Sequence, residues 1–148
     1  MKIIKRDGSK QAFMPNKILT RLKQQSKGLK VNPNKLFQKV VPHVKDGMTA
    51  TDIDEIIAFQ SADLQIEHPD YSILGGRILI SRQAKLLEVE MKPVDEKFDS
   101  FAASTFLKKY SKKNEIGVPI EIPSMMHNRV ANHLYPDSFK QRSKLLHQ

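Results

Sequence analysis

Ile3-Ile4-Lys5-Arg6-Asp7-Gly8-Ser9-Lys10-Gln11-Ala12-Phe13-Met14-Pro15-Asn16-Lys17-Ile18 reads, residue by residue, as strand, turn, strand and helix start. Ile3-Ile4 is a β-branched pair suited to an extended strand. Arg6-Asp7-Gly8-Ser9 supplies a hairpin turn, since Asp-Gly accepts the positive φ angles that a tight turn demands. Lys10 to Phe13 gives the return strand. Pro15-Asn16 then opens a helix, with Pro suited to the first helical turn and Asn to a cap. Lys5, Arg6 and Lys17 are close enough in sequence to converge on one anion. The same spacing also fits a hairpin whose basic side chains are simply solvated.

Beyond this stretch, helical periodicity dominates. Ile18, Leu19 and Leu22 recur at helical spacing, and Gly28 lies where that helix would end. Asn32-Pro33 reads as an N-cap and first turn for a helix through Leu36, Phe37, Val40 and Val41, which Pro42 should kink or end. After an Asp46-Gly47 turn, Thr51-Asp52-Ile53-Asp54 reads as a helix start, a hydroxyl cap followed by acids in the first turn. Ile53, Ile56, Ile57, Ala58 and Leu64 give this helix a broad apolar stripe. His68-Pro69-Asp70 breaks it, and a further helix is predicted from Asp70 to about Glu90. Gly75-Gly76 within it costs about 1 kcal/mol per glycine against alanine, which close approach of a neighbouring helix would offset. Residues 1–92 thus read as a mostly α (α+β) unit, a small β-hairpin lid on a four-helix bundle.

Met91-Lys92-Pro93 marks a boundary, and residues 93–148 read as a helical extension. Phe98, Phe101, Ala102, Thr105 and Phe106 share one helix face, and Gly117 to Pro123 is extended and turn-like. Helices are predicted from Pro123 through Leu134 and from Tyr135-Pro136-Asp137 to Leu146. The extension carries Phe98, Phe106, Ile122, Met126 and Leu146 among its apolar residues. That exceeds what a short appendage should bury on a bundle whose own core reads as complete, so a partner surface is expected.

The chain has 148 residues, enough for one domain with a proper core and an appendage. Its formal charge of +9 is unevenly spread. Residues 1–45 hold 12 Lys/Arg against a single acid, Asp7, whereas the remainder holds 13 against 15 acids. That polarity suggests a polyanionic partner for the N-terminal third: a nucleoside triphosphate, nucleic acid or an acidic protein face. No window approaches the roughly 18 apolar residues of a membrane span, and a cytoplasmic location is expected. The absence of cysteine excludes disulfides and thiolate metal sites within these residues. The five histidines are scattered without paired carboxylates at ligand spacing, and no Gly-rich phosphate loop occurs, so no catalytic residue is assigned.

Three ordered stretches resemble the ATP-cone, the regulatory nucleotide-binding domain at the N-terminus of many ribonucleotide reductase large subunits. They are Ile3-Ile4-Lys5-Arg6-Asp7-Gly8 with Lys17-Ile18, Asp46-Gly47-Met48-Thr49 with Asp52-Ile53, and Pro69-Asp70-Tyr71 with Gly75-Gly76-Arg77. The family often has Ala-Ala or Ala-Gly where Gly75-Gly76 stands. The resemblance covers residues 1–92 and implies the same hairpin-on-bundle fold. It also implies ATP or dATP as an allosteric effector, with Mg²⁺. Carried over residue by residue, Lys5, Arg6, Lys17 and Lys85 would hold phosphates, Ile3 would pack on adenine, and Gln11 stands where a base-contacting Glu is common. Ala50 replaces a Thr, and Asp54 a His, that contact nucleotide in some members. A carboxylate near a triphosphate repels it unless a cation intervenes, so weaker or altered binding is expected.

Gly117 to Leu134 resembles the opening segment of the family's catalytic barrel, with matches at Glu121, Pro123, Arg129, Val130 and Ala131 and with Ser124 in place of the usual Gln. Reductases use cysteines for radical chemistry and reduction, and this chain has none. The resemblance therefore implies the N-terminal piece of a split, phage-type class I large subunit. Its partners would be a separate cysteine-bearing catalytic chain and a radical-generating small subunit. One alternative is a free-standing, truncated cone protein that docks on a reductase and regulates it. A nucleic-acid-binding regulator is a weaker alternative: basic composition without a reading motif says little, and the zinc ribbon that reductase-gene repressors join to a cone needs cysteines.

Overall fold

The computed structural model describes residues 1–5 and 8–134. Arg6 and the helix expected from Tyr135 to Leu146 lie outside the described residues. Two strands, β1 (Lys2–Ile4) and β2 (Lys10–Ala12), pair antiparallel with Ile3 opposite Gln11. The turn between them closes through Gly8, whose φ of 87° needs a residue without a Cβ, and through Lys5 N–H donating to Ser9 O. The hairpin rests on helices α1 (Pro15–Gln25), α2 (Pro33–Val40), α3 (Ala50–Asp63) and α4 (Asp70–Leu87). This is the lid on a four-helix bundle that the periodicity predicts.

Each boundary has a local cause. Asn32 Oδ1 accepts from Asn34 N–H and caps α2, and Pro42 turns its end into a single 3₁₀ turn. The start of α3 differs from expectation. Its cap is Thr49 rather than Thr51, in a reciprocal capping box with Asp52. Asp46-Gly47-Met48-Thr49 runs beside β1 as a third, strand-like edge: Lys2 N–H donates to Asp46 Oδ1, Gly47 N–H to Lys2 O and Ile4 N–H to Met48 O. Helix α4 stops at Leu87 because Glu88 takes a left-handed conformation and its N–H bonds back into the last turn.

Two cores share α4. The first joins Leu22, Leu36, Val40, Ile57, Leu74 and Ile78 inside the bundle, with Ile3 and Phe13 of the hairpin packed against it. The second lies on the opposite side of α4, where Leu79, Ile80 and Ala84 meet the extension. That segment comprises a 3₁₀ turn (Pro93–Lys97), α5 (Ser100–Thr105), a π turn (Phe106–Tyr110) and α6 (Pro123–Leu134). Phe106, Leu107 and Ile122 are buried, and Phe98, Met125 and Met126 pack against them. The bundle's apolar surface is therefore not complete by itself, and much of the extension's apolar surface is covered by α4. Phe101 and Ile116 remain exposed.

The glycine pair is the contact between these two parts. A Cβ on Gly76 would lie 2.0 Å from Phe98 O, and one on Gly75 would lie 2.2 Å from Ser100 Oγ and 2.6 Å from Ser61 Cβ. The close neighbour expected from the sequence is thus both α3 and the start of α5. Ser100 Oγ donates to Ser72 O at 2.9 Å, which satisfies the polar groups at the buried seam. Buried Asp95 accepts from Lys92 N–H and Ser124 N–H, tying the 3₁₀ turn to the first turn of α6.

Candidate nucleotide-binding site

The sequence motifs first appear in the structure as scaffolding. Asp70 Oδ2 accepts from Lys30 N–H, and the Tyr71 hydroxyl accepts from Asn32 N–H, so the Pro-Asp-Tyr stretch anchors the loop between α1 and α2. Arg77 donates to Gln25 O, Lys27 O and Glu96 O, holding the end of α1 and the extension together. Asp46 and Thr49 anchor the hairpin to α3, as described above.

Of the predicted phosphate residues, Lys5, Lys17 and Lys85 fall among the described residues, and the helix register puts them toward one end. Arg21 on α1 donates to Ile78 O and approaches Ser81 Oγ on α4, while Arg77 of α4 reaches back to Gln25 O. This register makes α1 and α4 antiparallel. Lys17, one turn before Arg21, therefore lies at the same end as Lys85, one turn beyond Ser81. Arg82 Nη1 donates to Thr51 O, which brings the N-terminus of α3 to that end too. Lys5 follows β1 directly and lies beside the Met48-Thr49 edge through the bonds of Ile4. Lys5, Lys17 and Lys85 are all exposed. Ile3 and Gln11, being opposite each other, share the half-buried face of the hairpin that looks onto the bundle.

Asp54 is not a solvent-facing carboxylate. It is 2% exposed, accepts from Arg21 Nη1 at 2.5 Å, and faces Arg82 Nε at 3.9 Å. The cation that a carboxylate here needs is thus supplied by the chain, twice over. Sequence reasoning missed Arg21 and Arg82. Their signal was the helical offset from the chosen lysines, Lys17 to Arg21 by four and Arg82 to Lys85 by three, which puts each pair on one face.

A surface groove of about 480 Å³ lies elsewhere, on the outer face of α3, lined by His43, Met48, Asp52, Glu55, Ile56, Phe59 and Gln60. Its carboxylates would repel a triphosphate, and none of the predicted phosphate residues lines it. Among the described residues no cluster of His, Asp and Glu could hold a metal ion, and no helix is long and apolar enough to cross a membrane.

The described residues form a hairpin lid on a four-helix bundle, with exposed Lys5, Lys17 and Lys85 toward one end. The sequence pattern of the ATP cone domain matches residues 1–86, and the chain belongs to that family. It is 35% identical over 88 residues to the ribonucleoside-diphosphate reductase large subunit of Danio rerio and 38% identical over 88 residues to that of Arabidopsis thaliana. With the ribonucleoside-diphosphate reductase subunit alpha of Enterobacteria phage T4 it shares 32% identity over 92 residues. These alignments cover 57–62% of this chain but only 11–12% of each relative.

Proposed function

We propose that the hairpin end of the bundle binds ATP or dATP as an allosteric effector. Lys5, Arg6, Lys17 and Lys85 would hold the phosphates, with Ile3 and Gln11 toward the base. This reading is supported by the helix register that puts Lys17 and Lys85 toward the hairpin end, near Lys5, in a chain of the ATP-cone family. Because the oxygens of Asp54 already face Arg21 and Arg82, Mg²⁺ would arrive as the counter-ion of the nucleotide rather than as a ligand of Asp54. Binding to the native state alone would stabilise it by about 2.7 kcal/mol at a hundredfold excess over Kd. ATP or dATP with Mg²⁺ should therefore raise the melting temperature, and Lys5→Ala with Lys17→Ala should abolish the rise. An unchanged melting temperature at millimolar nucleotide would remove the effector role.

The kinship with reductase large subunits supports a place for the chain in a reductase assembly. We propose that it is the N-terminal allosteric part of a split large subunit in the cytoplasm, completing a separate cysteine-bearing chain that works with a radical-generating small subunit. The likeness of Gly117 to Leu134 to the start of a catalytic barrel supports this. A second reading, a free-standing cone that docks on a reductase and regulates it, is favoured by the burial of Phe106, Leu107 and Ile122 against α4. Coexpression separates the two. Copurification at 1:1 with reductase activity requiring both chains fits the split enzyme, whereas a catalytic chain fully active alone fits the regulator.

A further inference from the structure

We infer that Arg82 is a further phosphate ligand of this site, held in position by Asp54, an inference that rests on the nucleotide-binding reading above. The two arginines around Asp54 are not equivalent. Arg21 is committed at both terminal nitrogens, with a 2.5 Å bond from Nη1 to Asp54 Oδ1 and bonds from Nη2 to Ile78 O at 3.0 Å and Ser81 Oγ at 3.2 Å. Arg82 is held loosely: its Nε stands 3.9 Å from Asp54 Oδ2, and its Nη1 donates to Thr51 O at a long 3.3 Å. A guanidinium has five N–H donors in a fixed planar fork. Arg82 commits little of that fork, and its side chain is 29% exposed. It lies on α4 one turn before Lys85 and reaches the first turn of α3 at Thr51 O.

One buried carboxylate facing two guanidiniums leaves one positive charge uncompensated. Arg21 is no less exposed, at 33%, but both its terminal nitrogens are committed to Asp54 and α4, so the uncompensated charge is presented by Arg82. A planar fork suits two oxygens of one phosphoryl group, which the neighbouring lysines, as point charges, cannot match. Asp54 then has the opposite sign of effect from the one its charge alone suggests. It does not repel the phosphates, because its charge is consumed inside; it aims the group that binds them.

The test is calorimetric titration of Mg²⁺-ATP, and separately Mg²⁺-dATP, into the full chain. Arg82→Gln should weaken both roughly ten- to a hundredfold, as expected for the loss of a hydrogen bond to a charged group. Arg82→Lys should recover part of the loss. The melting temperature of unliganded Arg82→Gln should stay near that of the wild type, since Arg21 still pairs Asp54. Asp54→Asn should weaken binding, whereas a repulsive Asp54 would make it tighten and a merely structural one would leave the affinity of the folded protein unchanged. Either of the last two results overturns the inference. If Asp54→Asn does not fold, the two Arg82 variants decide alone. Wild-type affinity retained by Arg82→Gln overturns the role of Arg82 while leaving the nucleotide site standing, and no binding by the wild type overturns both.

Discussion

The charge state of Glu121 depends on its neighbours. Burial would push its carboxyl up, but the paired donors of Arg129, at 2.9 and 3.1 Å, and the N–H of Lys112 hold it below the usual value of 4.5. A carboxylate with a depressed folded value stabilises the native state above the unfolded value, and that stabilisation disappears as pH falls through the folded one. Unfolding of the extension, followed by tyrosine fluorescence, should therefore set in below about pH 4.5. Arg129→Ala leaves only Lys112 to oppose burial and should move the onset to higher pH. Because Arg129 is 47% exposed, the effect at neutral pH should be small. At this scale the sequence was only partly legible. Local spacing groups Lys5 with Lys17, whereas Lys85 comes only from the family resemblance. Which of the 12 basic residues in the first 45 meets a buried acid depends on the register of α1 against α4, which no local pattern carries. Asp54 looked like a free carboxylate because its partner, Arg21, lies 33 residues away.

Helix α3 had two overlapping ways to begin. Thr49 with Asp52 and Thr51 with Asp54 each match the hydroxyl-x-x-acid box. Thr49 prevails because its backbone is fixed beside Ile4 in a parallel bridge and because Asp54 is committed to the arginines. Thr49→Ala should accordingly cost about 1 kcal/mol in urea denaturation, and Thr51→Ala should be near neutral on the cap's account. The glycine pair of α4 shows the opposite degree of legibility: close approach could be read from Gly75-Gly76, but not what approaches. Gly76→Ala would drive a methyl group into the backbone of Phe98 and Asp99, which has no rotamer with which to yield. It should cost at least about 1–3 kcal/mol, the usual range for overpacking, despite the better helix propensity of alanine. The loss should appear as earlier unfolding of the extension, and a variant as stable as the wild type would contradict the contact.

For the whole molecule, the decisive feature is that α4 serves two cores. Its face toward Leu22, Leu36 and Ile57 closes the bundle, and its other face, Leu79, Ile80 and Ala84, is covered by Ala103, Phe106, Leu107 and Ile122. A single helix can do this because Leu74, Gly75, Gly76, Ile78, Leu79 and Ile80 are buried in near succession, a pattern of a helix enclosed on most sides rather than one with a solvent face. That run was visible in the sequence, but it was assigned wholly to the bundle because nothing local tells which neighbour covers which side. Each large apolar side chain returned to water costs roughly 1.5–3 kcal/mol, so the extension contributes several such amounts to the stability of the unit. A chain of residues 1–92 should keep its helical signal and its nucleotide response, because the first core and the hairpin contacts stay intact. It should unfold at a markedly lower urea midpoint and bind an apolar dye through the bared face of α4. Replacing Leu79 and Ile80 with Ser in that shortened chain should remove the dye binding without a further large loss, since those side chains no longer have a partner. The same two substitutions in the full chain should destabilise it strongly. Equal costs in both backgrounds would mean that the second core does not hold the extension.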